Sequence, residues 1–416
     1  MFLLDAAAIL LVTAAVFGWL NHRFLRLPFV IGMLVSGLLA SFGVLAVSAL
    51  VPELGLAAAI RAAVLQVDFA EAVLNGMLSL LLFAGALHTD VGALRERLLP
   101  IVSLATLGVL ISATVAGMAA FLAFRLVGVD VALPWCLVFG ALISPTDPIA
   151  VLGIMKAAKA PRDLEIKVIG ESLFNDGVGV VLFTVCLGVA VSGTFDVALV
   201  GELFAKEVLG GLLLGLGVGF VSHRALRRVD EPNLEVLITV AAVFGLGFAA
   251  SRLHVSAPLA AVVAGLFLGH HGRRAALSER SEATLDIVWT FVDETLNALL
   301  FLLIGIEVFA IDYSHREYLF AAALLIPLVL VARFAGVAGP LWLLRNRVRI
   351  GRGAIPVLTW GGLKGGVSIA LAMKTPEFPG RNAVLTVTYA IVVFSILVQG
   401  LTVGRLIRRV AVRGDA

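Results

Sequence analysis

The 416-residue chain is too apolar for a soluble protein, since 61% of its residues are hydrophobic and only 14% are charged. Soluble globular proteins carry about 25% charged and about 45–50% apolar residues, so these values exclude a soluble enzyme. A membrane span needs about 20 mostly apolar residues, which gives the chain room for about a dozen spans without a separate soluble domain. The net charge of +3 comes from basic clusters between apolar runs, which indicates membrane topology rather than nucleic-acid binding.

Apolar stretches bounded by charged residues, Pro or Gly predict an all-α polytopic membrane protein with about thirteen transmembrane helices. In chain order, the predicted spans cover residues 2–20, 28–48, 68–88, 99–124, 132–155, 165–192, 202–221, 234–251, 256–270, 286–310, 317–344, 353–373 and 383–404. The connections between them are short, so we expect one membrane domain over residues 1–416.

The Lys and Arg residues alternate between the two ends of these spans. Connections after odd-numbered spans, together with the C-terminal tail, hold 22 of them, and connections after even-numbered spans hold 7. Basic residues accumulate on the cytoplasmic side of membrane proteins. We therefore expect an integral membrane protein with the N-terminus outside and the C-terminus in the cytoplasm. The basic tail 405–416 could contact anionic membrane lipid, although the same charge bias alone explains it.

Two spans carry sequences that interrupt a helix. The fifth contains SPTDP at 144–148, whose two prolines remove backbone donors, and the twelfth contains GGLKGG at 361–366. Broken helices at matching positions of two halves indicate the midplane site of a transporter. We expect two inverted six-helix repeats, about 1–192 and 234–404, joined by a linking helix at about 202–221, with the broken fifth and twelfth helices crossing near the midplane.

Ionisable residues lie in the middle of apolar spans, namely Asp147, Glu171, Asp176, Arg333 and Lys364. An ionisable group near the bilayer midplane costs a few kcal/mol or more, so its default interpretation is a functional residue or a member of a buried pair. At about 1.5 Å of rise per helical residue, all of them except Glu171 fall within about one turn of a common plane.

Oxygen atoms of the fifth and sixth spans are expected to meet at this plane. Ser172 and Asp176 are four residues apart in the sixth span, which places them on one helical face. Asp147 and the loosened chain at Thr146 add further oxygen from the fifth span. Such ligands suit a hard monovalent metal cation, and no His/Cys cluster indicates a transition metal.

Structural roles remain open for several of these residues. Glu171, which stacks with Asn175 on the neighbouring face of the sixth span, is expected to form an ion pair with Arg333 or Lys364. Asp147 has an alternative role as the N-cap of a broken helix, and Lys364 as a counter-charge to helix ends.

Residues near the span ends indicate no further site. We expect the seven histidines to be interfacial residues rather than a pH sensor. Asp293 and Glu307 lie toward the ends of the tenth span, where we expect them to be solvated.

The motif GESLFNDG at 170–177, preceded by SPTDP at 144–148, resembles the monovalent cation:proton antiporter family, in its NhaP-like branch of sodium/proton exchangers. Weaker similarities to further family segments follow in the family's order at 256–269, 297–307 and 360–366. The resemblance is to the bacterial branch and implies a protein of a bacterial inner membrane. It also implies a homodimer, with a dimerisation half and a mobile core that carries the broken helices.

The resemblance also implies roles for single residues. Asp176 would bind the cation and the proton alternately, and Glu171 would pair with Arg333. Three groups would complete the cation site: Asp147, Ser172 and the backbone oxygen of Thr146.

Two positions bear on stoichiometry and selectivity. The pair Asn175-Asp176 resembles the electroneutral branch, which exchanges one cation for one proton, whereas the electrogenic branch has two aspartates. Lys364 stands where the family usually has an arginine, and lysine keeps the charge without the forked geometry of arginine. Cation selectivity is therefore open.

We expect a secondary active antiporter that exchanges Na⁺ (or Li⁺) for H⁺, with no enzymatic activity, cofactor, nucleic-acid partner or organic substrate. Cation and proton compete for Asp176, because burial favours a neutral carboxyl group and a bound cation favours the charged one. Three alternatives are K⁺/H⁺ exchange on the same scaffold, sodium-coupled solute symport and an intramembrane enzyme with Ser172 as nucleophile. The enzyme is the least expected, since no His-Glu-x-x-His or Gly-x-Ser-x-Gly motif occurs in a span.

Overall fold

The computed structural model describes residues 2–55, 69–158, 160–194, 196–272, 278–310, 315–348, 351 and 353–414. These residues are almost entirely helical, which confirms the all-α polytopic fold. Ten of their helices are long and apolar enough to cross a membrane. Two interrupted helices and one shorter apolar helix account for the remaining predicted spans.

The helices follow the predicted spans in order along the described parts of the chain. Their bounds are α1 (Phe2–Leu20), α2 (Phe29–Leu50), α3 (Phe69–Leu87), α4 (Leu98–Leu126), α5a (Leu133–Ile143), α5b (Ile149–Ala157), α6 (Arg162–Ser192), α7 (Val197–Leu226), α8 (Pro232–Leu253), α9 (Ala257–Phe267), α10 (Glu279–Ile306), α11 (Arg316–Leu343), α12a (Ala354–Trp360), α12b (Gly366–Met373) and α13 (Arg381–Val410).

Both predicted interruptions are present. The chain between α5a and α5b, residues 144–148, contains Pro145 and Pro148, which have no N–H to donate within a helix. The chain between α12a and α12b, residues 361–365, holds three glycines. Glycine weakens a helix because its backbone loses more conformational entropy there than that of other residues. Each interruption leaves backbone groups free to bind elsewhere.

The two interruptions cross each other. The backbone N–H of Asp147 donates to the C=O of Leu363 over 2.8 Å, as an isolated antiparallel bridge. Unwound backbone of this kind is tolerated at membrane depth where it is enclosed by protein. The division into repeats at 1–192 and 234–404, with the linking helix 202–221, stays a prediction.

Small residues allow α2 and α10 to pack closely. A Cβ on Gly305 would lie 2.9 Å from the Cα of Gly37, so the two backbones touch at this point. The hydroxyl of Ser41 donates to the C=O of Gly305 over 3.0 Å, and the hydroxyl of Tyr389 donates to the C=O of Ile304 over 2.8 Å. These bonds satisfy two carbonyls at the C-terminal end of α10.

The outer faces of α1, α7 and α8 are apolar and uncovered. Large exposed side chains on these three helices include Trp19, Phe204, Phe220, Phe244 and Phe248. Continuous apolar surface of this kind is stable against lipid or another apolar protein face, but not against water.

One expectation about the tenth span is wrong. Glu307 is 5% exposed rather than solvated, because α10 ends in the 3₁₀ turn Glu307–Ala310, which packs against α2. Asp293, in contrast, is half-buried and lies on the wall of a cavity.

The contact between α2 and α10 leads to a prediction about stability. Gly305→Ala should force the two helices apart and cost about 1–3 kcal/mol, the usual cost of overpacking. Gly43→Ala is the matched control, because a Cβ at Gly43 of α2 meets no atom within 4 Å. Thermal melting in detergent measures the stability of the two purified variants against wild type. Equal melting temperatures would contradict the close contact.

Candidate cation-binding site

Side chains of α6 bind the interruption of α5. The hydroxyl of Ser172 donates to the C=O of Thr146, and the amide nitrogen of Asn175 donates to the Thr146 hydroxyl over 2.7 Å. All three residues are buried. Because residues three apart are neighbours on a helix surface, α6 presents both groups to the same point of the unwound chain.

Asp176 follows Asn175 on α6, and its carboxylate accepts no hydrogen bond from the described residues. The residue is 8% exposed. Asp147, which is half-buried, is within electrostatic range of it. Asp176, Asp147 and Ser172 line one cavity, so two carboxylates and a hydroxyl face the same space. Oxygen ligands of this type suit a hard cation.

Thr146 and Asn175 lie behind these three residues. Thr146 is 4% exposed and is not part of the wall of this cavity. Its carbonyl oxygen accepts from Ser172 and retains a second lone pair. Asn175 is fully buried, and its Oδ1 has no hydrogen-bond partner. The predicted ligands are thus together, with Thr146 in a second layer.

Glu171 and Arg333 form a buried bidentate ion pair. The Nη1–Oε1 and Nη2–Oε2 distances are 2.5 and 2.9 Å, and the two residues are 2% and 4% exposed. Arg333 also donates from Nε and Nη2 to the C=O of Leu358, over 3.3 and 3.0 Å. Arg333 therefore joins α11 to α6 and α12a.

Lys364 bridges the two interruptions. Its Nζ donates to the carbonyl oxygens of Ser144 and Pro145 over 3.0 and 3.3 Å, and its backbone N–H donates to the hydroxyl of Ser395 over 2.9 Å. Ser144 and Pro145 follow the C-terminal end of α5a, where helix carbonyls carry partial negative charge. The ammonium group of Lys364 offsets that charge.

The carboxylate of Asp147 lies at the start of α12b, as the ammonium group of Lys364 lies at the end of α5a. A Cβ on Gly365, the residue before α12b, would lie 2.6 Å from Oδ2 of Asp147. Only glycine permits so close an approach. The positive end of a helix favours a nearby carboxylate, so each interruption carries a charge that faces the opposite partial charge of the other helix.

A cavity of about 580 Å³ gives access to the site from one side. Its wall includes Asp147, Asp176 and Ser172 at one end and His88 and Arg162 at the other. His88 follows α3, and Arg162 begins α6. The cavity therefore opens between these helix ends, on the side where the sequence predicts the cytoplasm.

Further contacts lie toward the start of α5a, at the opposite end from the cavity. The rings of Trp135 and Phe378 stack with centroids 3.9 Å apart and parallel planes. Arg381 donates to the carbonyl oxygens of Met373 and Thr375, over 3.0 Å in each bond. These contacts join the start of α5a to the chain after α12b.

Sequence reasoning missed three contributors to the site. Ser395 and the carbonyl of Leu358 hold Lys364 and Arg333 in place. A serine in an apolar span is a weak signal, and a backbone carbonyl has no sequence signal. Asp293 lines the access cavity, although its position near a span end indicated a solvated residue.

The chain matches the family model described as "Sodium/hydrogen exchanger, transmembrane" over residues 11–409. It belongs to the sodium/hydrogen exchanger family. It is 44% identical to the Na⁺/H⁺ antiporter NhaP of Pseudomonas aeruginosa, over 98% of this chain and 97% of that protein. It is 34% identical to the Na⁺/H⁺ antiporter NhaH of Halobacillus dabanensis, over 82% of this chain and 83% of that protein. The resemblance to NhaP-like exchangers is confirmed, and the family is one of transporters, not enzymes.

A solved structure shares the fold. The sodium proton antiporter MjNhaP1 of Methanocaldococcus jannaschii at pH 8 superimposes with a TM-score of 0.79 and 18% sequence identity, over 99% of each chain. At this identity the comparison supports the fold of broken and continuous helices.

The Glu171–Arg333 pair leads to a prediction about stability. Glu171→Leu or Arg333→Met should each destabilise the protein by about 3–5 kcal/mol, because each leaves the other charge buried and unpaired. The double variant should recover most of the loss, and melting temperatures in detergent measure this. In the exposed pair Arg381–Glu377, Glu377→Gln should change stability by less than about 1 kcal/mol. Additive losses in the double variant would contradict the pairing.

Proposed function

We propose that the protein is a secondary active antiporter that exchanges Na⁺ (or Li⁺) for H⁺ across the membrane. The observation that carries this proposal is the carboxylate of Asp176, which is nearly buried, accepts no hydrogen bond from the described residues and faces a cavity beside Asp147. A carboxylate in such a position has two ways to lose its unfavourable charge. It binds a proton, or it binds a cation.

Exchange follows from this competition. Asp176 releases its proton when a cation enters from the cavity, and it releases the cation when a proton arrives on the other side. If the site opens to the other side of the membrane only when Asp176 carries a proton or a cation, the gradient of one ion drives the transport of the other. Asp147, Ser172 and the carbonyl of Thr146 supply the other cation ligands.

Sodium is the proposed ion because the similar proteins from Pseudomonas and Halobacillus are named Na⁺/H⁺ antiporters. The oxygen ligands themselves suit several monovalent cations. Potassium/proton exchange would use the same residues and is the alternative outcome of the test below.

One-for-one, electroneutral exchange is supported by the formal charges around the site. The formal charges of Glu171 and Arg333 cancel within their ion pair. The formal positive charge of Lys364 cancels the negative charge of one of the two aspartates. Asn175 is neutral. One proton or one monovalent cation then brings the site to the same net charge, so both loaded forms cross with no difference in charge.

The membrane placement and assembly belong to the same proposal. The cavity opens among the basic connections, which supports an inward-facing form in a bacterial inner membrane with the N-terminus outside. The apolar outer faces of α1, α7 and α8 support a homodimer, in which part of that surface meets a second copy rather than lipid.

Ion exchange through Asp176 is testable in acid-loaded proteoliposomes that contain a pH-sensitive dye. External Na⁺ or Li⁺ should alkalinise the lumen with wild-type protein, and Asp176→Asn should abolish the response because an amide neither takes up nor releases a proton in this pH range. Asp130→Asn, the same change at an exposed residue, should behave as wild type. A response to K⁺ alone would change the assigned ion, and no response to any cation would refute the function.

Electroneutrality has a separate test. In K⁺-loaded proteoliposomes with valinomycin, a potential of either sign should leave the Na⁺/H⁺ exchange rate unchanged to within about twofold, because one charge moves in each direction. Choline replaces K⁺ in the control vesicles. A rate that follows the sign of the potential would mean that net charge is transported.

A further inference from the structure

The wall of the access cavity contains acidic residues from α10, well away from the interruptions. Thr290, Asp293, Glu294 and Leu300 of this helix line the cavity together with Asp176. Asp293 is half-buried, whereas Glu294 is exposed. The Asp293 carboxylate is within electrostatic range of Asp147, at the inner end of the cavity, and of His88, at its open end.

Asn297 holds Asp293 from one helical turn away. Its Nδ2 donates to the Oδ1 of Asp293 over 3.1 Å and to the Asp293 C=O over 2.8 Å. Asn297 is 2% exposed, and its Oδ1 has no hydrogen-bond partner. A buried amide oxygen without a donor costs free energy, and here it sits next to a carboxylate that faces the cavity.

The imidazole ring of His88, on the wall of the same cavity, is engaged elsewhere. Nδ1 of His88 donates to the C=O of Ala84 over 2.8 Å, and its Nε2 lies 3.4 Å from Oδ1 of Asp286. His88 is within electrostatic range of Asp293, but no ion pair joins the two among the described residues. Among the described residues, the Nδ2 of Asn297 is the hydrogen-bond donor to the Asp293 carboxylate, no ion pair neutralises that carboxylate, and the Oδ1 of Asn297 has no donor.

We propose that Asp293 and Asn297 form a second, outer binding site for the transported monovalent cation, at which the ion is held before it reaches Asp176. This inference rests on the proposed cation/proton exchange and extends it. Asp293 is the ligand that faces the cavity, and Asn297 positions it and supplies a further oxygen after a small movement. The outer site raises the local cation concentration next to Asp147 and Asp176.

An outer site of this kind affects how readily the cation enters the protein rather than the maximal rate of exchange. A carboxylate in a confined cavity attracts cations and raises their rate of entry, and added salt weakens this attraction where the group is open to solvent. Without Asp293, the exchanger should need more Na⁺ to reach half of its maximal rate. The maximal rate itself should stay unchanged because Asp176 is intact.

The test compares Asp293→Asn, Asn297→Ala and the matched control Glu294→Gln in the proteoliposome assay. At low ionic strength, Asp293→Asn should raise the apparent KM for Na⁺ about three- to tenfold with unchanged maximal rate, and Asn297→Ala should do the same to a smaller extent. Asp293→Glu should restore most of the affinity. Glu294→Gln, which removes the same charge from an exposed position, should change the KM by less than twofold.

Several outcomes would overturn the proposal. A wild-type KM in Asp293→Asn would remove the site, and an equal effect of Glu294→Gln would reduce it to the general charge of the cavity. Complete loss of exchange in Asp293→Asn would assign the residue to the inner site.

Thallium(I), a heavy monovalent cation, gives a direct check in crystals of the wild type. We expect one ion at Asp176 and another between Asp293 and Asn297. An ion at Asp176 alone would contradict the outer site. No exchange and no ion at Asp176 would instead refute the proposed function, so the two failures are distinguishable.

Discussion

The site depends on the contact between two pieces of unwound backbone in the middle of the helix bundle. Each interruption exposes carbonyls and N–H groups that lipid cannot satisfy, and each such group costs several kcal/mol if it stays unpaired. The bond from Asp147 to Leu363 and the bonds from Lys364 to Ser144 and Pro145 satisfy them mutually. Neither interruption would be stable alone, and together they place a carboxylate and an ammonium group within protein at membrane depth.

Buried polar bonds extend this contact to the neighbouring helices. Ser172 and Asn175 of α6 bind Thr146, and Arg333 of α11 binds both Glu171 and α12a. Four helices are thereby connected through groups that have no alternative partner in lipid. Among the described residues, no hydrogen bond is donated to the carboxylate of Asp176, and this residue lines the cavity together with Asp147 and Ser172.

Much of this was readable from the sequence, because the membrane imposes strong rules. Twenty-residue apolar runs predict spans, and Pro145, Pro148 and the glycines around Lys364 predict where two of them break. Ionisable residues within spans are rare enough to indicate the site. The Glu171–Arg333 pair could be expected, but the choice between Arg333 and Lys364 as the partner needed the fold. Contacts made by backbone atoms, such as Leu358 C=O, and the burial of Glu307 depend on how helices pack, which spacing along one chain does not encode.

The volume of the access cavity determines where a cation loses its water. A water molecule takes about 30 Å³ in the liquid, so 580 Å³ holds more than a dozen of them. An ion can therefore remain hydrated over most of the cavity and exchange its shell for carboxylate and hydroxyl oxygens near Asp176. On the proposed route, dehydration, the most expensive part of moving a small cation through a bilayer, is then confined to the protein between Asp176 and the stacked rings of Trp135 and Phe378. On this route an ion is without its water shell over only part of the thickness of the membrane.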